Sequence, residues 1–349
     1  MTPSRPMIFT PTAFPAVTGN AMTAERWRRA LSSLGLDARV VATDGLGAAD
    51  LRREIDRARP DLLHVHHAFR AGGLLLDPSL SDAVSGLPFV VSPSGTDLNV
   101  DFHETEKKGV IERVLRRADA VVAQSADGMQ RLRDILPGIL ERVFHVPKAV
   151  AWLGEEPCDL RTSAGVLFFM PAGVRPVKGN LECLLGLEKV FGLRPAVRAV
   201  FAGPPLDGAY ADRFKREVER LRTFARWIPA IPPAAMRSAY DSADVVVNGS
   251  RSEGLSNVIL EARAAGKPLL ASDVPGNRWP VVGNPGDPPA GLLFDPSDPG
   301  DFVRKALRLA DDEALRKSLG SAGARHRSDP AEEARALATV YETAARERV

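Results

Sequence analysis

The stretch from Asn248 to Asn277, NGSRSEGLSNVILEARAAGKPLLASDVPGN, decides how the rest of the chain is read. Its order is a strand end, a polar loop, an amphipathic helix beginning near Ser256, a short apolar strand and a second loop. Glu253 falls in the loop and Glu261 about one turn into the helix, eight residues on. The backbone N–H groups of Gly254, Leu255, Ser256 and Asn257 stand where a helix opens. First-turn N–H groups lack internal partners, so an anion is favoured there. A loop acid, amide donors and a helix acid thus converge. That set suits a nucleotide-linked sugar, with amides for phosphate and carboxylates for hydroxyls.

Outward from this stretch, short apolar runs alternate with helical patterns, the signature of parallel sheets built from βαβ units. In the first half the predicted strands are 7–9, 38–42, 62–66, 89–92, 120–123 and 143–146. Helical spacing marks 21–34, 48–58 and 108–117, the first of these stopped by Gly35. Residues 151–163 lose the pattern and read as a linker. A second alternation follows, with strands predicted at 166–170, 199–202, 225–228, 245–247 and 268–271. Its helices are predicted at 180–191, 210–221, 234–241, 257–265, 299–310, 313–326 and 330–346, with a Pro/Gly-rich surface loop at 282–290. The fold class expected is α/β: two Rossmann-like, doubly wound domains, 1–150 and 164–329, facing across a crevice at the carboxyl ends of their strands.

Composition narrows the function. The 349 residues are 44% hydrophobic and 26% charged, as in a soluble globular protein. A net charge of +2 gives no footing for nucleic acid as a partner. The two cysteines, Cys158 and Cys183, have no metal-ligand spacing and form no disulfide framework. No apolar run approaches the roughly 20 residues of a membrane span, and the N-terminus lacks the layout of a secretory signal. A cytoplasmic location is expected. The doublets Arg28-Arg29, Arg52-Arg53 and Arg116-Arg117 read as solvated helix faces rather than as a peripheral membrane patch. Oligomeric state is left open.

Four further segments sit between a predicted strand and the next helix. Thr18-Gly19-Asn20 lets backbone approach a ligand at Gly19, or is an ordinary βα turn; the full dinucleotide fingerprint is missing. In His64-Val65-His66-His67, strand alternation puts His64 and His66 on one face and turns His67 away. His66 is the candidate strand-end acid/base group, with packing as its rival fate. No Cys, Asp or Glu at ligand spacing accompanies these histidines, so no metal site is expected. Ser92 to Asp101, SPSGTDLNVD, carries Asp97 at a strand's carboxyl end, a candidate for a sugar or acceptor hydroxyl against the rival reading of turn chemistry. Ala172 to Asn180, AGVRPVKGN, sets Arg175 and Lys178 before a helix, where both can face a diphosphate.

AGVRPVKGN, FAGPP, SEGLSNVILEARAAGKPLLASDVPGN with its E-x7-E acids, and GLLFDPSDP together resemble glycosyltransferase family 4, a retaining family of GT-B fold. TGNAMTAERW, HHAFRAGGLLL and SGTDLNVD resemble the subgroup of glycosyltransferase-1-domain-containing proteins, with similarity to selenosugar synthases. The resemblance implies donor binding by Gly19, Arg175, Lys178, Glu253, Gly254, Leu255, Ser256, Asn257 and Glu261. It gives Arg175 and Lys178 the diphosphate, Glu261 the ribose and Glu253 the transferred sugar. Asp97, His66 and Glu253 are then the candidate catalytic residues. The position where many relatives hold a histidine before the GTD-like turn is Ser94. The resemblance further implies that helix 330–349 joins the first domain. No cofactor is implied beyond the donor, a nucleoside diphosphate sugar with UDP first among bases, and no metal. The activity implied is metal-independent, retaining transfer to an unidentified acceptor. A selenium or sulfur nucleophile with the same donor is the alternative, and a non-catalytic nucleotide-sugar-binding scaffold a second one.

Overall fold

The computed structural model describes residues 3–283, 286–325 and 329–347. The chain divides into two compact units, residues 1–151 with 328–349, and residues 152–327. Each unit is built on one six-stranded sheet whose paired strands are all parallel.

In the first unit the strands are β1 Pro6–Thr10, β2 Arg39–Ala42, β3 Leu62–His66, β4 Phe89–Ser92, β5 Ala120–Ala123 and β6 Val143–His145, in the order β2-β1-β3-β4-β5-β6. β1, β3, β4 and β5 are buried end to end, which is why their sequences are near-continuous apolar runs. Alternation splits each run between two cores. Met7, Phe9, Leu63, Val65 and Val91 pack on one face. Ile8, Leu62, Val90 and Val122 pack on the other, beneath Trp27 and Leu31 of helix Gly19–Ser33 and Leu337 and Tyr341 of helix Pro330–Arg346. Those two helices are tied by a buried carboxylate. Glu333 accepts from Arg26 through both oxygens, at 2.8 and 2.9 Å, and from the Trp27 indole at 2.8 Å.

The second unit carries β7 Leu167–Pro171, β8 Arg198–Ala202, β9 Ala225–Ile228, β10 Val245–Asn248, β11 Leu269–Ser272 and β12 Gly291–Phe294, in the order β12-β11-β10-β7-β8-β9. Residues 152–163 lie along this unit: Leu160 is buried, and the Cys158 N–H donates to Ser238 Oγ at 2.9 Å.

Several elements differ from the sequence-based expectation, the short helices Ser81–Val84 and Gly95–Asn99 among them. β12 was not expected, because its four residues follow a Pro-rich run and open on a glycine. Residues 275–277 and 282, expected in loops, fall in helix Pro275–Val282, with proline in its first turn, where a missing N–H costs nothing. Helix Ala126–Ile135 went unread; Ser125 caps it, accepting from the Gly128 N–H at 3.0 Å. His326 of the expected helix 313–326, residues 284 and 285 of the expected loop, and the last two residues of 330–349 lie outside the described residues. Among the described residues no helix is long and apolar enough to cross a membrane.

Candidate active site

In the second unit the chain runs outward from β7 through β8 to β9, then returns to place β10 on the other side of β7. The turns after β7 and β10 therefore diverge from neighbouring strand ends. Doubly wound sheets bind ligands at such a switch point. Residues 172–179 follow β7 and residues 249–256 follow β10, and the two turns touch through backbone. The Arg251 N–H donates to the Val177 carbonyl at 2.8 Å. Gly179, at φ 66°, lies so close that a Cβ there would stand 2.4 Å from the Gly249 carbonyl oxygen. Only glycine satisfies both the left-handed backbone and the approach.

This contact brings Lys178 to Glu253. The ammonium donates to Glu253 Oε1 at 2.6 Å, and Ser250 Oγ donates to the same oxygen at 2.6 Å. Both charged side chains keep part of their surface in solvent, 23% for Lys178 and 11% for Glu253. Arg175 is exposed, and among the described residues its guanidinium has no ion pair. Gly254, Leu255 and Asn257 are half-buried and Ser256 is buried. Helix Asn257–Ala264 opens without a side-chain cap, because the Ser256 hydroxyl accepts instead from Asn248 Nδ2 at 2.8 Å. Glu261, one turn in, is half-buried and accepts from the Tyr240 hydroxyl at 2.7 Å.

The Glu253 loop rests on a polar floor absent from the sequence-based expectation. Ser272 Oγ donates to the Ser250 carbonyl at 2.5 Å, and Asn277 Nδ2 donates to Ser272 Oγ and the Ser272 carbonyl, each at 3.1 Å. Beside them, a Cβ on Gly276 would stand 2.3 Å from the Glu253 carbonyl oxygen and 2.4 Å from that of Gly254. Ser250, Tyr240, Gly276 and Asn277 all act across elements. Of these, only Ser250, three residues before Glu253, carried a local signal.

The first unit has its own switch point, between β1 and β3. Thr18 and Gly19 follow β1; Gly19 is exposed, and Thr18 caps its helix, accepting from the Ala21 N–H at 3.2 Å. The histidines after and within β3 are a different matter. His64 Nδ1 lies 2.7 Å from the Tyr341 hydroxyl and its Nε2 lies 2.8 Å from Ser92 Oγ, while the ring stacks on Trp27 at 4.8 Å. His66 is edge-on to the same indole at 5.1 Å and only 4% exposed. Burial pushes both imidazoles down to about 3, so they are neutral core groups. The expectation of a strand-end acid/base role for His66 is therefore corrected: β3 is covered on this face by helix Gly19–Ser33.

His67 turns away from that face, at φ 85° and ψ 100°, a conformation that costs a non-glycine residue energy. Its Nδ1 lies 2.7 Å from Asp97 Oδ1. Since a carboxylate can only accept, Nδ1–H donates, and the Arg70 N–H at 3.3 Å from the same nitrogen is the weaker claimant. Asp97 also accepts from the N–H groups of Ala68 at 2.8 Å, Phe69 at 2.9 Å and Ser94 at 2.7 Å. Burial works to raise its pKa, but His67 and the backbone donors together hold it below the ordinary carboxylate value. Fully buried and surrounded by these donors, Asp97 is not disposed toward a sugar hydroxyl as expected. It fixes the turns after β3 and β4. His67, Asp97 and Asp101 offer ligand atoms within 4.8 Å of one another, the spacing of a cation site. Their charge is already answered, by backbone N–H groups at Asp97 and by Lys107, whose ammonium is 3.0 Å from Asp101 Oδ1.

Comparison with known proteins agrees with this architecture. Residues 166–326 match the glycosyl transferases group 1 family and residues 46–147 the glycosyl transferase 4-like domain. Glycosyltransferase 1 domain-containing protein 1 of Xenopus tropicalis is 26% identical over 322 residues, covering 89% of each chain. D-inositol 3-phosphate glycosyltransferase of Geodermatophilus obscurus is 29% identical over 231 residues, 61% of this chain and 49% of that protein, so the match spans about half its length. Among solved structures, Anabaena Alr3699/HepE in complex with UDP and glucose superposes with a TM-score of 0.75 at 15% identity, covering 96% of this chain and 98% of the other. Sucrose-phosphate synthase from Thermosynechococcus elongatus gives 0.73 at 16% identity, over 99% and 97%. The fold and the two matched domains define a glycosyltransferase. The chain is a glycosyltransferase of GT-B fold, with a glycosyl transferase 4-like domain in its first unit and a group 1 domain in its second.

Proposed function

We propose that the chain transfers a sugar from a nucleoside diphosphate sugar, UDP first among the bases, to an acceptor nucleophile, with retention at the anomeric carbon and without a metal. The observation that carries the reading is the Lys178–Glu253 pair spanning the β7/β10 switch point, beside a helix start its own N-cap serine does not cap. A diphosphate arriving there competes with Glu253 for the Lys178 ammonium. Arg175 and backbone N–H groups of the loop from Gly254 to the helix start at Asn257 add donors. Glu253, released from Lys178, turns to the hydroxyls of the transferred sugar, while Glu261 holds those of the ribose.

Chemically, the bond from the anomeric carbon to the phosphate oxygen breaks, and its electron pair leaves with the diphosphate. The acceptor's bond to that carbon forms on the same face, and the acceptor's proton passes to the departing phosphate oxygen. Charge builds on the leaving oxygens, where Lys178, Arg175 and the amides are already in place, so stabilisation is electrostatic and pre-organised. Those cations do the work a divalent ion would otherwise do. The UDP and UDP-glucose bound to Anabaena Alr3699/HepE support uridine as the first base to try. Retention rests on the family resemblance.

Turnover should be measured with a panel of nucleotide sugars and with hydroxyl, thiol and selenophosphate acceptors, with and without chelator. The anomeric configuration of the product should be read by NMR. Lys178→Ala is expected to lower kcat by about 100-fold, and Glu261→Ala to weaken donor binding in calorimetric titration. Full turnover by Lys178→Ala at saturating donor, or unweakened donor binding by Glu261→Ala, sinks these assignments, as does an inverted product for retention.

A further inference from the structure

We propose that Tyr240 is a positioning residue for Glu261, and through it a determinant of how tightly the donor's ribose is held. The proposal rests on the reading of Glu261 as the ribose-binding carboxylate. Tyr240 lies on helix Met236–Ser242, the element immediately before β10, and is 0% exposed. Its ring is fixed from two sides, edge-on to Phe169 of β7 at 5.5 Å and tilted against Trp152 at 5.7 Å. Ala239, Val246, Ile259 and Ala262 complete the same core. The one polar atom of this residue reaches out of that core to Glu261 Oε2, 2.7 Å away. Burial, with the carboxylate beside it, pushes the phenol well above its ordinary range, so it remains a donor at any working pH.

The physical consequence concerns Glu261 rather than Tyr240. A glutamate on a helix turns about three side-chain bonds, and a half-buried one loses that freedom when a ligand binds. A hydroxyl anchored in a packed core accepts no such motion. Its charge-assisted hydrogen bond pins one carboxylate oxygen and so fixes the direction of the other. A tyrosine in this core without that partner would contribute packing alone. With it, the core of the unit is connected to a carboxylate at the ligand-binding edge.

Tyr240→Phe removes only the hydroxyl and keeps the ring in place, so the fold is retained, which an unchanged melting temperature would verify. The probes are the nucleoside diphosphate the wild type binds best among UDP, ADP, GDP and CDP, and its 2′,3′-dideoxy counterpart, in calorimetric titration. The wild type is expected to prefer the ribose form. In Tyr240→Phe the affinity for the ribose form falls about 10-fold, the worth of one hydrogen bond to a charged group. The dideoxy form binds as before, so the preference shrinks. Equal losses for both ligands, or an undiminished preference, overturn the positioning role while leaving the ribose reading intact. A wild type that does not distinguish the two nucleotides, or binds none, overturns the ribose reading and the proposal with it.

Discussion

Each unit places an acid and a base in the turns that follow its parallel strands, and the two treat them in opposite ways. In the first, His67 and Asp97 expose 3% and 0% of their side chains, and three of the four donors on Asp97 are backbone N–H groups. In the second, Lys178 and Glu253 keep 23% and 11%, and the Lys178 ammonium and the Ser250 hydroxyl both donate to one Glu253 oxygen. Backbone donors cannot leave without unmaking a turn, so Asp97 belongs to the framework. Side-chain partners at a half-open edge exchange when a ligand offers something better. The pairs look alike as residue types; partner and burial separate them.

Acid is the strongest way to separate the units. Five of the six histidines, His64, His66, His67, His103 and His145, lie in the first unit's span, and the second contains His326 alone. His64 and His66 are neutral in the fold, at about 3, against about 6.5 when unfolded. Between those values the unfolded chain binds the extra protons. Their contribution is complete above pH 6.5 and falls as pH drops, by about 2 kcal/mol for each at pH 5. Hydrogen exchange, corrected for intrinsic rates, should show β3 and β4 losing protection between pH 7 and 5 while β7 and β10 keep theirs. Simultaneous loss in both sheets breaks the comparison. Asp97 extends the trend: its depressed pKa means its contribution is lost only below the ordinary carboxylate range.

Removing Asp97 itself comes next in size. Asp97→Ala strands three N–H groups and His67 in a buried site, at a cost of about 3 kcal/mol. Urea unfolding followed by a first-unit probe such as Trp27 should record it. If Asp97→Ala unfolds at the wild-type midpoint yet loses turnover, Asp97 is a ligand group after all and the contrast drawn here fails.

Much of this was legible in the chain. Continuous apolar runs gave eleven of the twelve strands, because parallel strands covered on both faces have no polar alternation to confuse the reading. Gly291 to Phe294 escaped because a glycine opens the run; it is there because a Cβ would stand 2.4 Å from the Leu269 carbonyl oxygen on the neighbouring strand. The placement of Glu253, Glu261, Arg175 and Lys178 was legible because its signal is local, a charged residue beside a helix start. Tyr240 was not, since spacing on its helix marks only a core aromatic. His66 and Asp97 failed for the same reason in reverse. Their types point to chemistry, but what covers them, Trp27 and the turn at Ala68, is set by contacts about 30 to 40 residues away, which no local pattern carries.

The smallest expected effect on stability tests whether the Glu253 loop is held as tightly as its role demands. Gly276→Ala puts a Cβ 2.3 and 2.4 Å from two carbonyl oxygens of that loop, both backbone atoms that cannot swing aside. The loop is also tied from beneath through Ser250, Ser272 and Asn277, so it moves as a piece rather than absorbing the methyl locally. Global stability should drop by about 1 kcal/mol, the low end for an overpacked site. Catalysis should suffer beyond that, about 10-fold in kcat/KM, since a fraction of an ångström at a reacting-group contact is enough to misalign it. Gly286→Ala, where nothing lies within 4 Å of the added Cβ but φ is 96°, supplies the control for backbone strain without displacement of the site. Should the two variants lose activity alike, the loss follows stability and the loop is looser than its floor implies. A loss confined to Gly276→Ala would mean that the exchangeable pair of the second unit works only because its backbone is as fixed as the first unit's buried one.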